Sequence, residues 1–418
     1  MKTKLKYHLL LIILALSFCM ISCEKEELLP TTPDIEEPDP ENLPTVRSDN
    51  EQTVFMYLPW SNNLTSYFYQ NIEDLKSVIG KNILKNERMI VFMCTSPTKA
   101  TLSELIYEEG KGGVQKTLKS YDFTTTDDSP QLAYTTAEGI TSILEDVKDY
   151  SPANYYAMII GCHGMGWIPV SSRRSRSLPA FKKHWENDNA PFLTRYFGGT
   201  QSQYQTDITT LAQGIANAGL KMEYILFDDC YMSTVEVAYD LKDVAHHLIG
   251  CTSEIMAYGM PYALIGPYLI GNIDYKSICD GFYDFYSTYD MPCGTIGVTD
   301  CSELDNLAAI MKKINQQYTF DSQLTGSLQR LDGYSPTLFF DYGDYVSKLC
   351  PDPYLLEQFN EQLERTVPFK QHTEYYYTMS GGGQKIKINT FSGITISDPS
   401  IHPDASMKKE TAWYKATH

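Results

Sequence analysis

The feature that most constrains this chain is a rhythm. Short, β-rich apolar runs occur at residues 53–58, 88–93, 155–161 and 223–227, with a shorter fifth at 247–251. Between them lie longer stretches with helical character, at 67–79, 131–149, 207–218 and 233–244. The runs are nearly continuous in apolar residues, as strands covered on both faces require. Strands alternating with helices predict an α/β fold: a mostly parallel sheet flanked by helices on both faces. Between the second and third runs, residues 102–108, the turn Gly110-Lys111-Gly112-Gly113 and residues 114–118 read as a hairpin, expected as an insertion beside the sheet. Past Pro261 the rhythm loosens, with a strand expected at 295–298, a helix at 303–314 and mixed elements at 338–349, 385–390 and 393–397. The body therefore divides into a core at 53–270 and a stretch at 271–418 holding the last strand and a C-terminal subdomain.

The first 52 residues differ from the body. Lys2, Lys4 and Lys6 precede an apolar run at 9–16, too short to span a bilayer and readable as a signal-peptide core. Ser22-Cys23 just beyond it resembles a bacterial lipobox, so residues 1–22 are expected to be removed and Cys23 acylated. Residues 24–52 contain ten Asp or Glu and five Pro with few large apolar side chains, so residues 23–52 are expected to form an acidic, Pro-rich tether. The acidic run after Cys23 resembles the export signal of bacterial surface lipoproteins, placing the protein on the cell envelope, at the outer membrane and outside it.

The 34 Lys plus Arg against 52 Asp plus Glu give a formal net charge of −18. A negative surface repels nucleic acid and anionic lipid, so no nucleic-acid partner is expected and the membrane is met only through the lipid anchor. A monomer is expected. The eight Cys of the body show no CxxC pairing, so neither a zinc site nor a redox motif is indicated.

In open α/β sheets ligands bind beyond the carboxyl ends of the strands. Two ends carry unusual residues: Gly161-Cys162-His163-Gly164-Met165-Gly166-Trp167 and Phe227-Asp228-Asp229-Cys230-Tyr231-Met232-Ser233. If these strands are neighbours, His163 and Cys230 face one crevice, where an imidazole favours the thiolate or supplies the leaving-group proton. A helix starting near Ser233 would add its N-terminal dipole at the sulfur. Gly164 leaves room for a substrate backbone, and its amide with that of Cys230 forms a candidate oxyanion hole. Strand alternation should turn Cys162 away from the side that His163 uses.

His-Gly-x-Gly-Trp after one strand and Asp-x-Cys-x-Met after the next resemble the clostripain family of cysteine peptidases, which have a caspase-like fold. A third block is also present as Ser253-Glu254 followed by Tyr258-Gly259-Met260-Pro261-Tyr262; where the family often has Gly-Trp, this chain has Gly259-Met260. The resemblance makes residues 53–270 a caspase-like catalytic core, with His163 and Cys230 as the dyad and Cys230 as nucleophile. It puts Trp167, Ser253 and Glu254 with Asp228 at the substrate. Asp228, two residues before Cys230 on the same strand face, suits a Lys or Arg before the cut bond, and the family is similarly known for cleavage after Arg or Lys. The competing reading makes Asp228 or Asp229 the cap of the following helix.

Residues 171–184 hold Arg173, Arg174, Arg176, Lys182 and Lys183, with no Asp or Glu from 164 to 185. An exposed basic loop in an acidic protein is an expected site of self-cutting, as family members are similarly processed in this region; the alternative is a solvated loop or a patch docking the acidic tether. No cofactor is indicated. Acidic loops leave calcium open, which some relatives use, but no EF-hand spacing occurs. His246-His247 is expected at a helix end with a structural role, and the sequon Asn63-Leu64-Thr65 is without consequence behind a bacterial leader. Two other readings of the whole chain stand beside the peptidase: a non-catalytic surface lipoprotein binding peptides or glycans, and a zinc hydrolase using Cys162, His163 and Cys230.

Overall fold

Residue alternation along the first strand sets the layers. In β1 (Gln52–Leu58), Phe55 and Tyr57 join one apolar core while Val54, Met56 and Leu58 join another on the opposite face. A strand apolar on both faces must be covered on both. A computed structural model describes residues 49–123, 133–170, 197–380 and 383–418 of the chain. Residues 1–48, which carry the expected signal peptide, Cys23 and nearly all of the tether, lie outside the described residues, as do Arg173, Arg174, Arg176, Lys182 and Lys183.

Eight more strands complete the main sheet: β2 (Glu87–Ser96), β3 (Lys99–Glu108), β4 (Gly112–Asp122), β5 (Tyr155–Gly161), β6 (Met222–Asp228), β7 (Ala245–Gly250), β8 (Thr295–Asp300) and β9 (Phe369–His372). Their order is β9-β8-β7-β6-β5-β1-β2-β3-β4. The five central strands, β7 to β2, run parallel. Antiparallel pairs finish both edges.

The hairpin expected beside the sheet is part of it. β2 continues to Ser96, beyond its apolar run, and only Pro97 and Thr98 separate it from β3. A connection that short permits only antiparallel pairing, and the pairing satisfies the otherwise open edge of β2. A buried fork, Arg88 Nε to Glu104 Oε1 at 2.6 Å and Nη2 to Oε2 at 2.7 Å, ties β3 to β2.

On one face α1 (Thr65–Ile79), α5 (Tyr262–Leu269) and α6 (Tyr275–Ser287) pack over Val54, Met56, Met89 and Val91. On the other, α2 (Ala137–Tyr150), α3 (Ile208–Asn217), α4 (Val235–Leu241), α7 (Leu304–Gln317), α8 (Tyr342–Leu349), α9 (Pro353–Thr366) and α10 (Ala412–Thr417) cover Phe55, Tyr57, Ile90 and Phe92. The stretch at 271–418 shares this core: Phe339, Tyr342 and Trp413 belong to the same cluster as Tyr57 and Phe227. Among the described residues, no helix is long and apolar enough to cross a membrane.

The helix expected at 233–244 is shorter, Val235–Leu241, and starts where Thr234 Oγ1 accepts the amide of Val237. Neither Asp228 nor Asp229 caps it, and its first turn is five residues past Cys230 rather than at the sulfur. His246 and His247 lie within β7 rather than at a helix end, and His247 Nδ1 pairs with Tyr275 Oη at 3.0 Å.

Candidate active site

β5 and β6 are adjacent and parallel, with Gly161 registered against Asp228. His163 and Cys230 each lie two residues beyond that pair, so the strand ends deliver them at the same height. The crevice there is bordered by His163, Gly164, Asp228, Cys230, Glu254 and Gly259, with Leu64, Phe68 and Met379 as apolar wall.

Gly164 shows how tightly the two ends meet. A Cβ at this position would lie 2.5 Å from the carbonyl oxygen of Cys230 and 2.6 Å from Cβ of Asp229. Only glycine permits that approach, and the backbones after His163 and around Cys230 are packed against each other. Asp229 reinforces the junction: it is fully buried, and its carboxyl accepts the Cys162 amide at 2.7 Å and faces the Cys162 thiol at 3.4 Å. Burial, with Asp228 alongside, pushes the Asp229 carboxyl well above the usual carboxylate range. Cys162 Sγ is thus held against Asp229 within the buried core, as strand alternation predicts. Among the described residues, no group of three or more His, Cys, Asp or Glu side chains is arranged to hold a metal ion.

Cys230 differs from the other seven described cysteines, all of which are buried, in being partly exposed. Burial pushes the thiols of Cys279, Cys293 and Cys301 up to about 12, which leaves them inert. The amide of Ile255 donates to Cys230 Sγ at 3.4 Å. His163 is held through both main chain and side chain. Its main chain exchanges hydrogen bonds with Gly198, at 3.1 and 3.0 Å, and its Nε2 lies 3.0 Å from Asn63 Oδ1.

Tyr231, next to the nucleophile candidate, has φ +62°, a left-handed conformation costly for a side chain of its size. It is locked there. Its amide donates to the Ser253 carbonyl at 3.1 Å, its ring stacks on Phe339 with centroids 5.2 Å apart, and its hydroxyl donates to Glu254 Oε1 at 2.5 Å. Glu254 also accepts Thr378 Oγ1 at 2.5 Å and the Met379 amide at 2.8 Å. Glu254 borders the crevice as expected, but its carboxylate serves as a strut between the Cys230 turn and the segment at 378–379.

Asp228 is buried at the crevice floor. Oδ1 accepts the Met260 amide at 2.7 Å and Oδ2 accepts the Tyr262 hydroxyl at 2.9 Å. Burial raises its carboxyl to about 7, against these two bonds, which favour the ionised form. Gly259, at φ +76°, is what keeps the carboxyl open to the crevice, because a Cβ there would sit 2.5 Å from Oδ1. The block 258–260 is anchored from α1, where Asn71 Nδ2 donates to the Tyr258 carbonyl at 3.1 Å and Asp74 accepts the Tyr258 hydroxyl at 2.7 Å.

Two residues expected at the substrate are elsewhere. Trp167 is buried and its indole N–H donates to Ser397 Oγ at 2.9 Å, so it joins the C-terminal stretch to the His163 loop. Ser253 is fully buried with its hydroxyl 2.9 Å from Thr295 Oγ1. Its neighbours Glu254, Ile255 and Met256 border the crevice instead. Asn63, the Glu254 strut and the role of Gly259 have no signature in residue type; their only signal is their place in turns beyond strand ends.

The sequence profile of the clostripain family, peptidase family C11, matches residues 56–414. Among solved structures, the chain is similar to a secreted C11 cysteine protease from Bacteroides thetaiotaomicron, "iotapain", at 70% identity over 88% of this chain and 99% of that one, with a TM-score of 0.80. It is also similar to a clostripain from Bacteroides thetaiotaomicron ATCC 29148 in complex with the peptide inhibitor BTN-VLTK-AOMK, at 76% identity over 53% of this chain and 99% of that one, TM-score 0.52. An inactive zymogen C11 protease from Parabacteroides distasonis matches at 25% identity over 90% and 100% of the two chains, TM-score 0.71. No curated protein matches.

Proposed function

We propose, from the premise that this chain belongs to the clostripain family and is a cysteine protease, that it is an endopeptidase cutting after Lys or Arg through Cys230 and His163. The observation that carries this reading is the approach of Gly164 to the Cys230 carbonyl, which puts the partly exposed sulfur beside the His163 loop.

The Cys230 thiolate adds to the carbonyl carbon of the scissile bond, and the oxygen takes the negative charge within reach of the Gly164 and Cys230 amides. His163 gives its proton to the departing amine as the C–N bond breaks, leaving a thioester on Cys230. Water then gives a proton to His163 and its oxygen to the acyl carbon, and the C–S bond breaks to release the acid and restore the sulfur. A Lys or Arg side chain before the cut bond reaches the crevice floor and ionises Asp228. The inhibitor of the similar clostripain ends its peptide on Lys, in line with this assignment.

The basic residues Arg173, Arg174, Arg176, Lys182 and Lys183 match the same specificity and are the proposed self-cutting sites; a similar protein is known as an inactive zymogen. Lipid attachment through Cys23 at the outer membrane is proposed with it, the 70%-identical relative being described as secreted. Hydrolysis of fluorogenic peptides differing only at the residue before the cut bond tests the reading: Lys and Arg peptides should be cut well above Asp or Leu ones. A lysyl chloromethyl ketone should alkylate Cys230, seen by mass spectrometry. Absence of labelling in both intact and nicked protein would refute the proposal.

A further inference from the structure

We propose that Asn63 is the positioning residue of the catalytic histidine, setting its tautomer as well as its orientation; the proposal rests on reading His163 as the acid–base group. β1 and β5 are parallel neighbours, with Tyr57 registered against Ile160, so the turn after β1 lies beside the segment after β5. That turn, Asn62–Leu64, carries Asn63 to within 3.0 Å of His163 Nε2.

Both partners stand on fixed backbone. Ser61 is fully buried, its hydroxyl donates to the Pro59 carbonyl at 3.0 Å, and its own carbonyl accepts the Leu64 amide at 3.2 Å. His163 has its main chain pinned to Gly198. The Asn63 contact acts on the ring itself. An amide oxygen only accepts, so the contact requires the hydrogen on Nε2 and makes Nδ1 the nitrogen that exchanges the proton with the reacting groups.

The choice of Asn over Asp has a chemical reason. The oxygen of a neutral amide supports Nε2–H in both the imidazole and the imidazolium. A carboxylate in its place would favour the imidazolium and hold back the proton owed to the leaving amine. The contact also gives Asn63 a role separate from its sequon.

The test uses full-length protein with the intact and nicked fractions assayed separately on a Lys peptide between pH 5 and 9. Asn63→Ala should lower kcat about 10- to 100-fold, part of what general acid–base catalysis supplies, with KM within about twofold. Asn63→Asp should recover only part of kcat, because the ring is held again but gives up its proton less readily, and should move the alkaline limb of the kcat/KM profile upward, because the added charge stabilises imidazolium. Should Asn63→Ala not fold, the limb shift in Asn63→Asp decides alone. Wild-type kcat in Asn63→Ala, or an unmoved limb in Asn63→Asp, overturns the proposal while an inactive His163→Ala leaves the dyad standing. A His163→Ala protein as active as wild type overturns both.

Discussion

Asp228→Asn separates specificity from stability at one carboxyl. The side chain is buried, and its pKa is raised from an ordinary 3.8 to about 7 by that burial. Ionising it therefore costs about 4 kcal/mol at most, at 1.36 kcal/mol per pH unit. The sign follows from linkage. Between pH 3.8 and about 7 the folded protein holds a proton that the unfolded chain has released, so its stability falls as pH rises through this window and the full penalty applies above about 7. Asn at 228 does not titrate. Its oxygen still accepts the Met260 amide, and its NH2 donates to the Tyr262 hydroxyl in place of the bond now running the other way. The variant should unfold at higher urea than wild type at pH 8, by up to about 4 kcal/mol, with the gap closing towards pH 4. In catalysis the same change removes the charge proposed to meet Lys. kcat/KM for a Lys peptide should fall about 100- to 1,000-fold, the scale of truncating one side of a buried charge pair. A Leu peptide should be nearly unaffected. Wild type should also lose kcat/KM for Lys peptides as pH drops below about 7, since the carboxyl must be ionised to take the cation. An unchanged Lys-to-Leu ratio in Asp228→Asn would refute the specificity argument. No gain in urea resistance at pH 8 would refute the burial argument.

The parallel centre of the sheet was readable because runs such as 155–161 and 223–227 are apolar on both faces, a pattern only doubly covered strands need. The edge hairpin was visible as a hairpin but not as sheet, since the polar half of β4 looks the same whether its partner belongs to the main sheet or not. At the site, Asp228 and Cys230 were legible together from their place at one strand end, but β6 stops at Asp228, so the turn that holds Tyr231 at positive φ, rather than strand alternation, brings the sulfur to the same crevice. The Glu254 strut was not, because it joins residues 23 and 124 positions apart through a loop conformation, Tyr231 at positive φ, that no residue type announces. Trp167 shows the converse. An aromatic ring with one N–H suits a pocket wall and a core equally, and only Ser397, 230 positions away, decides between them. Asn63 was out of reach for the same reason: its meaning depends on β1 lying next to β5, which is a property of strand order rather than of local sequence.

Arg88→Ala should cost about 3–5 kcal/mol in urea unfolding by stranding the buried Glu104 carboxylate, and pairing Arg88→Met with Glu104→Leu should restore most of it. Glu254→Gln leaves one of three donors without an acceptor, so stability should drop about 1–3 kcal/mol and kcat should fall with the loosened Tyr231 turn; unchanged kcat would count against the strut. Wild type should run as two pieces on a denaturing gel while Cys230→Ala stays whole, and two whole proteins would end the self-cutting proposal. Gly164→Ala probes the junction itself. Met232 can swing its side chain away from the new Cβ, but the Cys230 carbonyl at 2.5 Å is backbone, and reaching an ordinary 3.4 Å contact needs one strand end to retreat by about 1 Å. Displacement on that scale costs about 100-fold in kcat when reacting groups are held on the two ends. Far from that junction the fold has no reason to change, so circular dichroism should match wild type. Wild-type kcat in Gly164→Ala would mean that the alignment of the His163 and Cys230 loops is not what the reaction depends on.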